Sequence, residues 1–128
     1  MAELIYKKLS YLVLELAFTV HNTLGPGLLE SAYEGSFCIE CTLAGVPFER
    51  QKVYPLYYKG QYVCDYIADL VVDNKIILEF KSVRELTKLM EAQIIHYLRL
   101  SHVKVGYLIN FNATRLVWKR FVNLEGGA

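Results

Sequence analysis

Ile5, Leu9, Leu12, Leu16, Val20 and Leu24 recur three to four residues apart, and that spacing predicts one amphipathic helix over residues 4–24. Gly25-Pro26-Gly27 stops it. A second helix is predicted over residues 29–43, closed by Ala44-Gly45 ahead of Val46-Pro47. From Phe48 the period of the pattern changes to two, which predicts strands near 48–58, 61–72 and 76–82, with turns at Lys59-Gly60 and Asp73-Asn74-Lys75. The run RELTKLMEAQIIHYLRL predicts a third helix over residues 84–100, with Leu86, Met90 and Leu100 in its packing stripe. KVGYLINF and TRLVWKRF then read as two closing strands joined at Asn112-Ala113, and NLEGGA as a frayed tail. The order is ααβββαββ, an α/β (α+β) chain with a mixed sheet flanked by helices.

Composition narrows the class. The 128 residues suit one domain over 1–128, and 54% hydrophobic with 21% charged residues is globular and not disordered. A formal net charge of +1 means that any surface for a polyanion must be local. The apolar stretch YLVLELAFTV is broken by Glu15 and is half the roughly 20 residues a membrane span needs, so it reads as a core helix. Three cysteines, an odd number, point to reduced thiols and a cytoplasmic setting. CIEC falls inside a predicted helix and lacks the four ligands of a zinc site, which leaves Cys38 and Cys41 as small buried hydrophobes. His21, His96 and His102 show no ligand spacing, no serine motif supports a hydrolase triad, and the NAT at Asn112 reads as a turn.

The hairpin DLVVDNKIILEFK is apolar except for Asp69, Glu79 and Lys81. Alternation along its first arm puts Tyr62, Cys64, Tyr66, Ala68, Leu70 and Val72 on one face and Asp65, Ile67, Asp69 and Val71 on the other. A three-residue loop at 73–75 pairs Val72 with Ile76 and, continued, sets Asp69 against Glu79, where like charges destabilise a sheet. A cation between them would remove that cost. Mg²⁺ suits, being hard, oxygen-binding and held by one or two carboxylates plus substrate phosphate. The alternative is a solvated ion-pair cluster in which Lys81 neutralises both acids. Asp65 lies farther along the same face and reads as a surface residue or a group supporting the two acids from behind. Arg50 and Lys52, alternating on one face of the first strand, together with Arg84 and Lys88, offer a track for phosphates or else a solvated sheet edge.

Asp69, followed ten residues later by Glu79-Phe80-Lys81, resembles the D-x(n)-E-x-K core of the PD-(D/E)xK nuclease superfamily. Upstream, GLLESAY (Gly27 to Tyr33) resembles the signature of the GxxExxY family within it. Downstream, QIIHY (Gln93 to Tyr97) is similar to the Q-x-x-x-Y element of the RecB-like branch. Ala68 stands where the motif name has proline, and Tyr66 where RecB-like enzymes often have glycine.

The resemblance implies a restriction-endonuclease-like αβββαβ core and phosphodiester hydrolysis that depends on Mg²⁺ or Mn²⁺. It implies Asp69 and Glu79 as metal ligands, Lys81 as the group that orients water or stabilises the transition state, and Glu30 reaching the metal directly or through water. Gln93 and Tyr97 would contact the lysine or a DNA phosphate. Read from the residues alone, Glu30 is equally a favourable acid at a helix N-terminus, and Gln93 and Tyr97 a polar interruption of a packing stripe. The leading expectation is a nuclease acting on DNA, with RNA second, no membrane contact, and a homodimer among its partners. The alternatives are a noncatalytic nucleic-acid-binding or regulatory subunit on the same fold, and an interaction module oligomerising through its first helix.

Overall fold

The computed structural model describes residues 4–124. Eight elements follow in the predicted order: α1 (Lys7–Leu24), α2 (Glu30–Ala44), β1 (Phe48–Tyr58), β2 (Gln61–Val72), β3 (Ile76–Lys81), α3 (Lys88–Ser101), β4 (Val105–Asn110) and β5 (Val117–Val122). Of the expected tail, residues 125–128 lie outside the described residues. The third helix begins four residues later than its apolar pattern predicts. Thr87 caps it, its hydroxyl accepting the Met90 N–H at 3.2 Å, so Arg84 and Glu85 belong to the preceding loop.

The strands form one sheet in sequence order, β1-β2-β3-β4-β5. Neighbours are antiparallel except β3 and β4, which run parallel and are joined through α3. β4 is buried along its whole length and β3 up to Lys81, as expected of strands covered on both faces. One face packs on α1 and α2 through Val13, Leu16, Ala17, Val20, Tyr33 and Phe37, with Leu70, Leu78 and Phe80 beneath them. The other face packs on α3 through Ala68, Val71, Ile77, Tyr97 and Leu98. The inward residues of α3 are thus Ile94, Tyr97 and Leu98 in place of the expected Leu86, Met90 and Leu100. Gly106 admits them: a Cβ there would lie 3.1 Å from Ile94 Cδ1 and 3.2 Å from Leu98 Cδ2.

The β2–β3 register is the predicted one, with Val72 opposite Ile76, Val71 opposite Ile77 and Leu70 opposite Leu78. The expected single face of β2 is not kept. Leu70 and Val72 join the α1–α2 side, whereas Ala68 and Tyr66 pack on the α3 side. The switch falls at Asp69. Across from it in β1, between the pairs Arg50–Leu70 and Lys52–Ala68, Gln51 is left out of the register and has a left-handed φ of 54°. One left-handed residue breaks the two-residue alternation of a strand. For the same reason Arg50 and Lys52 part company: Arg50 reaches Glu34 on α2, while Lys52 lies over the Tyr54 ring.

Candidate functional site

Where β2 and β3 should continue pairing past Leu70 and Leu78, the ladder stops and two acids take its place. Glu79 Oε2 accepts the backbone N–H of Asp69 at 2.7 Å, and Asp69 Oδ2 accepts the backbone N–H of Phe80 at 2.9 Å. Each carboxylate therefore satisfies a backbone amide of the neighbouring strand. Glu79 is buried at 4% exposure and Asp69 is half-buried.

Burial dominates their electrostatics. It pushes Asp69 up to about 6, against the Phe80 N–H bond and Lys81, which lower it, and with Glu34 and Glu30, which raise it further. Burial pushes Glu79 up to about 8, and the Asp69 charge adds to the effect. Lys81, half-buried and two residues along the same side of β3, forms no ion pair with either acid. The ion-pair cluster that the sequence allowed is not what these residues form.

The segment after Lys81 is held from several sides. Ser82 N–H donates to Glu30 Oε2 at 3.2 Å, and Ser82 Oγ donates to the Leu28 carbonyl at 2.6 Å. Leu28 N–H in turn donates to the hydroxyl of Tyr33, which itself donates to the Gly25 carbonyl. Tyr33 is fully buried and stacked on Phe111 at 4.5 Å, so the tyrosine of GLLESAY is a structural anchor. On the other flank, buried Asn110 brackets Val83, accepting its N–H and donating to its carbonyl, and Phe111 N–H donates to the Lys81 carbonyl. No sequence signal marked Asn110 or Ser82 as supports.

Glu30 stands exposed at the start of α2, with its carboxylate turned to Ser82. Gln93 Nε2 donates to the hydroxyl of Tyr97 at 3.2 Å, so the two residues bond each other and not the lysine. Tyr97 is buried beneath the acids: burial first, then the charges of Glu79 and Asp69, hold its hydroxyl up to about 12. Gln93 also opens on a cleft of about 400 Å³ with Tyr66, Met90 and His96. Glu34 was not anticipated. Buried one turn after Glu30, it accepts from Arg50 and Gln51, and its charge raises both Asp69 and Glu79. The four-residue step in ESAYE, which places both acids on one side of a helix, was the available signal. Cys38 and Cys41 are buried as expected, and burial pushes the Cys41 thiol up to about 12.

The donor set can be tested against a metal. Among the described residues no group of three or more His, Cys, Asp and Glu side chains is placed to hold an ion, so Glu30 is not assembled with Asp69 and Glu79 as a third ligand. Two carboxylates without a paired cation, both strongly resisting ionisation, remain. They fit a hard divalent ion that takes one or two protein carboxylates and fills its other positions with water and phosphate.

The family model described as the PD-(D/E)XK nuclease superfamily matches residues 7–121. The crystal structure of SSO0001 superposes with a TM-score of 0.51 at 21% identity, covering 73% of this chain and 52% of that one, so the chain spans about half the length of that structure. The likeness shows the fold, a restriction-endonuclease-like mixed sheet flanked by helices. No curated protein matches the chain significantly. Among the described residues no helix is long and apolar enough to cross a membrane.

Proposed function

The chain belongs to the PD-(D/E)XK nuclease superfamily, and from that premise we propose that it is a metal-dependent nuclease hydrolysing phosphodiester bonds of DNA. Members of the superfamily generally use divalent metals and act on nucleic acid. The observation that carries the reading is the Asp69–Glu79 pair, with Glu79 buried and Asp69 half-buried, reciprocally bonded to backbone amides, without an ion-pair partner, and with Lys81 two residues after Glu79 on β3. GLLESAY and QIIHY support the finer placement in the GxxExxY group with a RecB-like element.

Asp69 and Glu79 would hold Mg²⁺ or Mn²⁺. When bound, such an ion polarises a phosphoryl oxygen and lowers the pKa of its water. The chain's own residues do the rest. Lys81, with no carboxylate neutralising it, presents a full positive charge where a phosphate gains negative charge in the transition state. Its placement is fixed through its own carbonyl and through Ser82, which Glu30 and Leu28 hold. In this reading Glu30 acts on the centre through Ser82 and through its charge on Asp69, and reaches the ion at most through water. Gln93, open to the cleft beside Tyr66, is the group available to a backbone phosphate, and Tyr97 underlies the acids and orients Gln93.

The test is direct. The protein is incubated with single- and double-stranded DNA and RNA, with Mg²⁺ or Mn²⁺ and with EDTA. Cleavage of DNA that requires the metal is expected; no cleavage of any substrate with either ion refutes the proposal.

A further inference from the structure

Resting on the nuclease reading, we infer that Glu34 and Gln51 are a positioning pair: Glu34 holds Gln51 left-handed, and that conformation turns Asp69 into the site. Glu34 has 7% of its surface exposed, and its carboxylate is bonded by Arg50 Nε and by Gln51 Nε2 at 3.0 and 3.1 Å. Gln51 has φ 54°, a conformation that glycine adopts freely and other residues adopt at a cost. Such strain persists only where the surroundings over-determine it. Here the over-determining contact is the amide's reach to Glu34.

The consequence appears across the ladder. Gln51 stands opposite Asp69 yet is absent from a register that is regular on both sides, Arg50 with Leu70 and Lys52 with Ala68. β2 changes faces at the same level, Ala68 packing towards α3 and Leu70 towards α1 and α2. Regular alternation counted from Leu70 would put the Asp69 side chain on the α3 face; counted from Ala68, on the opposite face. At the switch it lies on neither. It points along the sheet into the gap before β3, where it reaches the Phe80 N–H at 2.9 Å. In an unbroken strand successive side chains stand off the sheet on alternate faces, and a carboxylate as short as that of Asp69, one methylene shorter than Glu79, depends on the local backbone direction to reach such an amide. The kink thus gives Asp69 its direction, and Glu34 supports the kink from α2.

Two substitutions separate positioning from mere stability. Gln51→Gly fits the backbone angle without strain but loses the amide. Gln51→Asn tolerates the left-handed region but is one methylene too short to reach Glu34. Both are compared with the native protein by thermal melting in EDTA, calorimetric titration with Mn²⁺ alone, and DNA cleavage. The expected result is melting in EDTA at or above the native value for Gln51→Gly, with Mn²⁺ affinity reduced about ten- to a hundredfold, the range seen when groups that orient metal ligands are removed. Turnover should fall in both variants with the KM for DNA unchanged. Variants that bind Mn²⁺ and cleave as the native protein does overturn the inference and leave the nuclease reading intact. Melting lowered in both with Mn²⁺ affinity unchanged assigns the pair to folding alone and also overturns it. A native protein that neither binds Mn²⁺ nor cleaves removes the nuclease reading, and the inference with it.

Discussion

Replacing Glu79 with glutamine removes a charge from a nearly sealed position while keeping an oxygen that can accept the Asp69 N–H. The native carboxyl is pushed from 4.5 up to about 8 by burial and by Asp69. Each pH unit between the unfolded and folded values is 1.36 kcal/mol, so above pH 8 the ionised side chain costs the fold at most roughly 4–5 kcal/mol. Water entry and a compact unfolded chain reduce that ceiling, and about half is a realistic expectation. The sign follows from proton counts. Between the unfolded and folded values the native state binds more protons than the unfolded one, so stability falls as pH rises through this window. Asp69, pushed up to about 6, contributes in the same direction over the lower part of the range.

In EDTA the native protein should therefore melt higher at pH 5 than at pH 8.5. Glu79→Gln should flatten most of that dependence and gain roughly 2 kcal/mol at pH 8.5, on the order of 5–10 °C in Tm for a chain of this size. Mg²⁺ at about 100 times its Kd should raise native stability by roughly 2.7 kcal/mol. The variant should show no such protection and no cleavage. A Glu79→Gln protein clearly less stable than native in EDTA at pH 8.5 would refute the argument. It would mean that the carboxylate is balanced in place by Lys81 and belongs to a structural ion pair.

Lys81→Ala should keep the Mg²⁺ protection, since lysine is no ligand, but lose about a hundredfold or more in turnover, as removal of a transition-state stabiliser does; kcat measured beside melts with and without Mg²⁺ tests both halves. Gly106→Val should lower stability by about 1–3 kcal/mol in urea titrations, because Ile94 and Leu98 already sit at contact distance from its missing side chain. Asn110→Ala leaves the Val83 amide and carbonyl without their buried partner. It should cost about 1–3 kcal/mol and slow cleavage more than it weakens Mn²⁺ binding, because the loosened segment carries Lys81 and not the two acids.

The element order, the sheet's hairpins and the β2–β3 register from Val72–Ile76 to Leu70–Leu78 were legible because they rest on local pattern: period, turn residues and loop length; the ladder does not run on to pair Asp69 with Glu79 as expected. The start of α3 was not, because apolar spacing runs through Leu86 into a loop that is held by groups 27 to 54 residues away in sequence. The face switch in β2 was hidden for a sharper reason. Nothing in DYIADLVV breaks the alternation; the break is imposed from β1, where a glutamine takes a glycine-like angle because of a glutamate on α2. Periodicity assigns Asp69 to a face, but only the three-dimensional partner of Gln51 can take it off both faces. Glu34 was missed for a similar reason: an acid in a helix reads as solvated until a basic strand residue is seen to cover it.

The cost of the acid pair also bears on what it is for. Two apolar residues at 69 and 79 would let the β2–β3 ladder run on past Leu70 and Leu78 and would keep the position dry. Instead, each acid occupies an amide of the neighbouring strand, so the opening between β2 and β3 is held by the same groups whose charges it disfavours. A structural salt bridge would have closed the account with Lys81 at hand on the same strand, yet Lys81 pairs with neither acid. With folded values of about 6 and about 8, the pair holds about one proton near neutral pH. A divalent cation would displace that proton and turn the repulsion into ligation. Cation uptake should accordingly release protons, about one per site near pH 7, since a carboxyl must be deprotonated to bind. Calorimetric titration of Mn²⁺ in buffers of different ionisation enthalpy measures that number. A value near zero across pH 6.5–7.5 would show that the acids are already ionised in the free protein, contradicting the proton held by the pair.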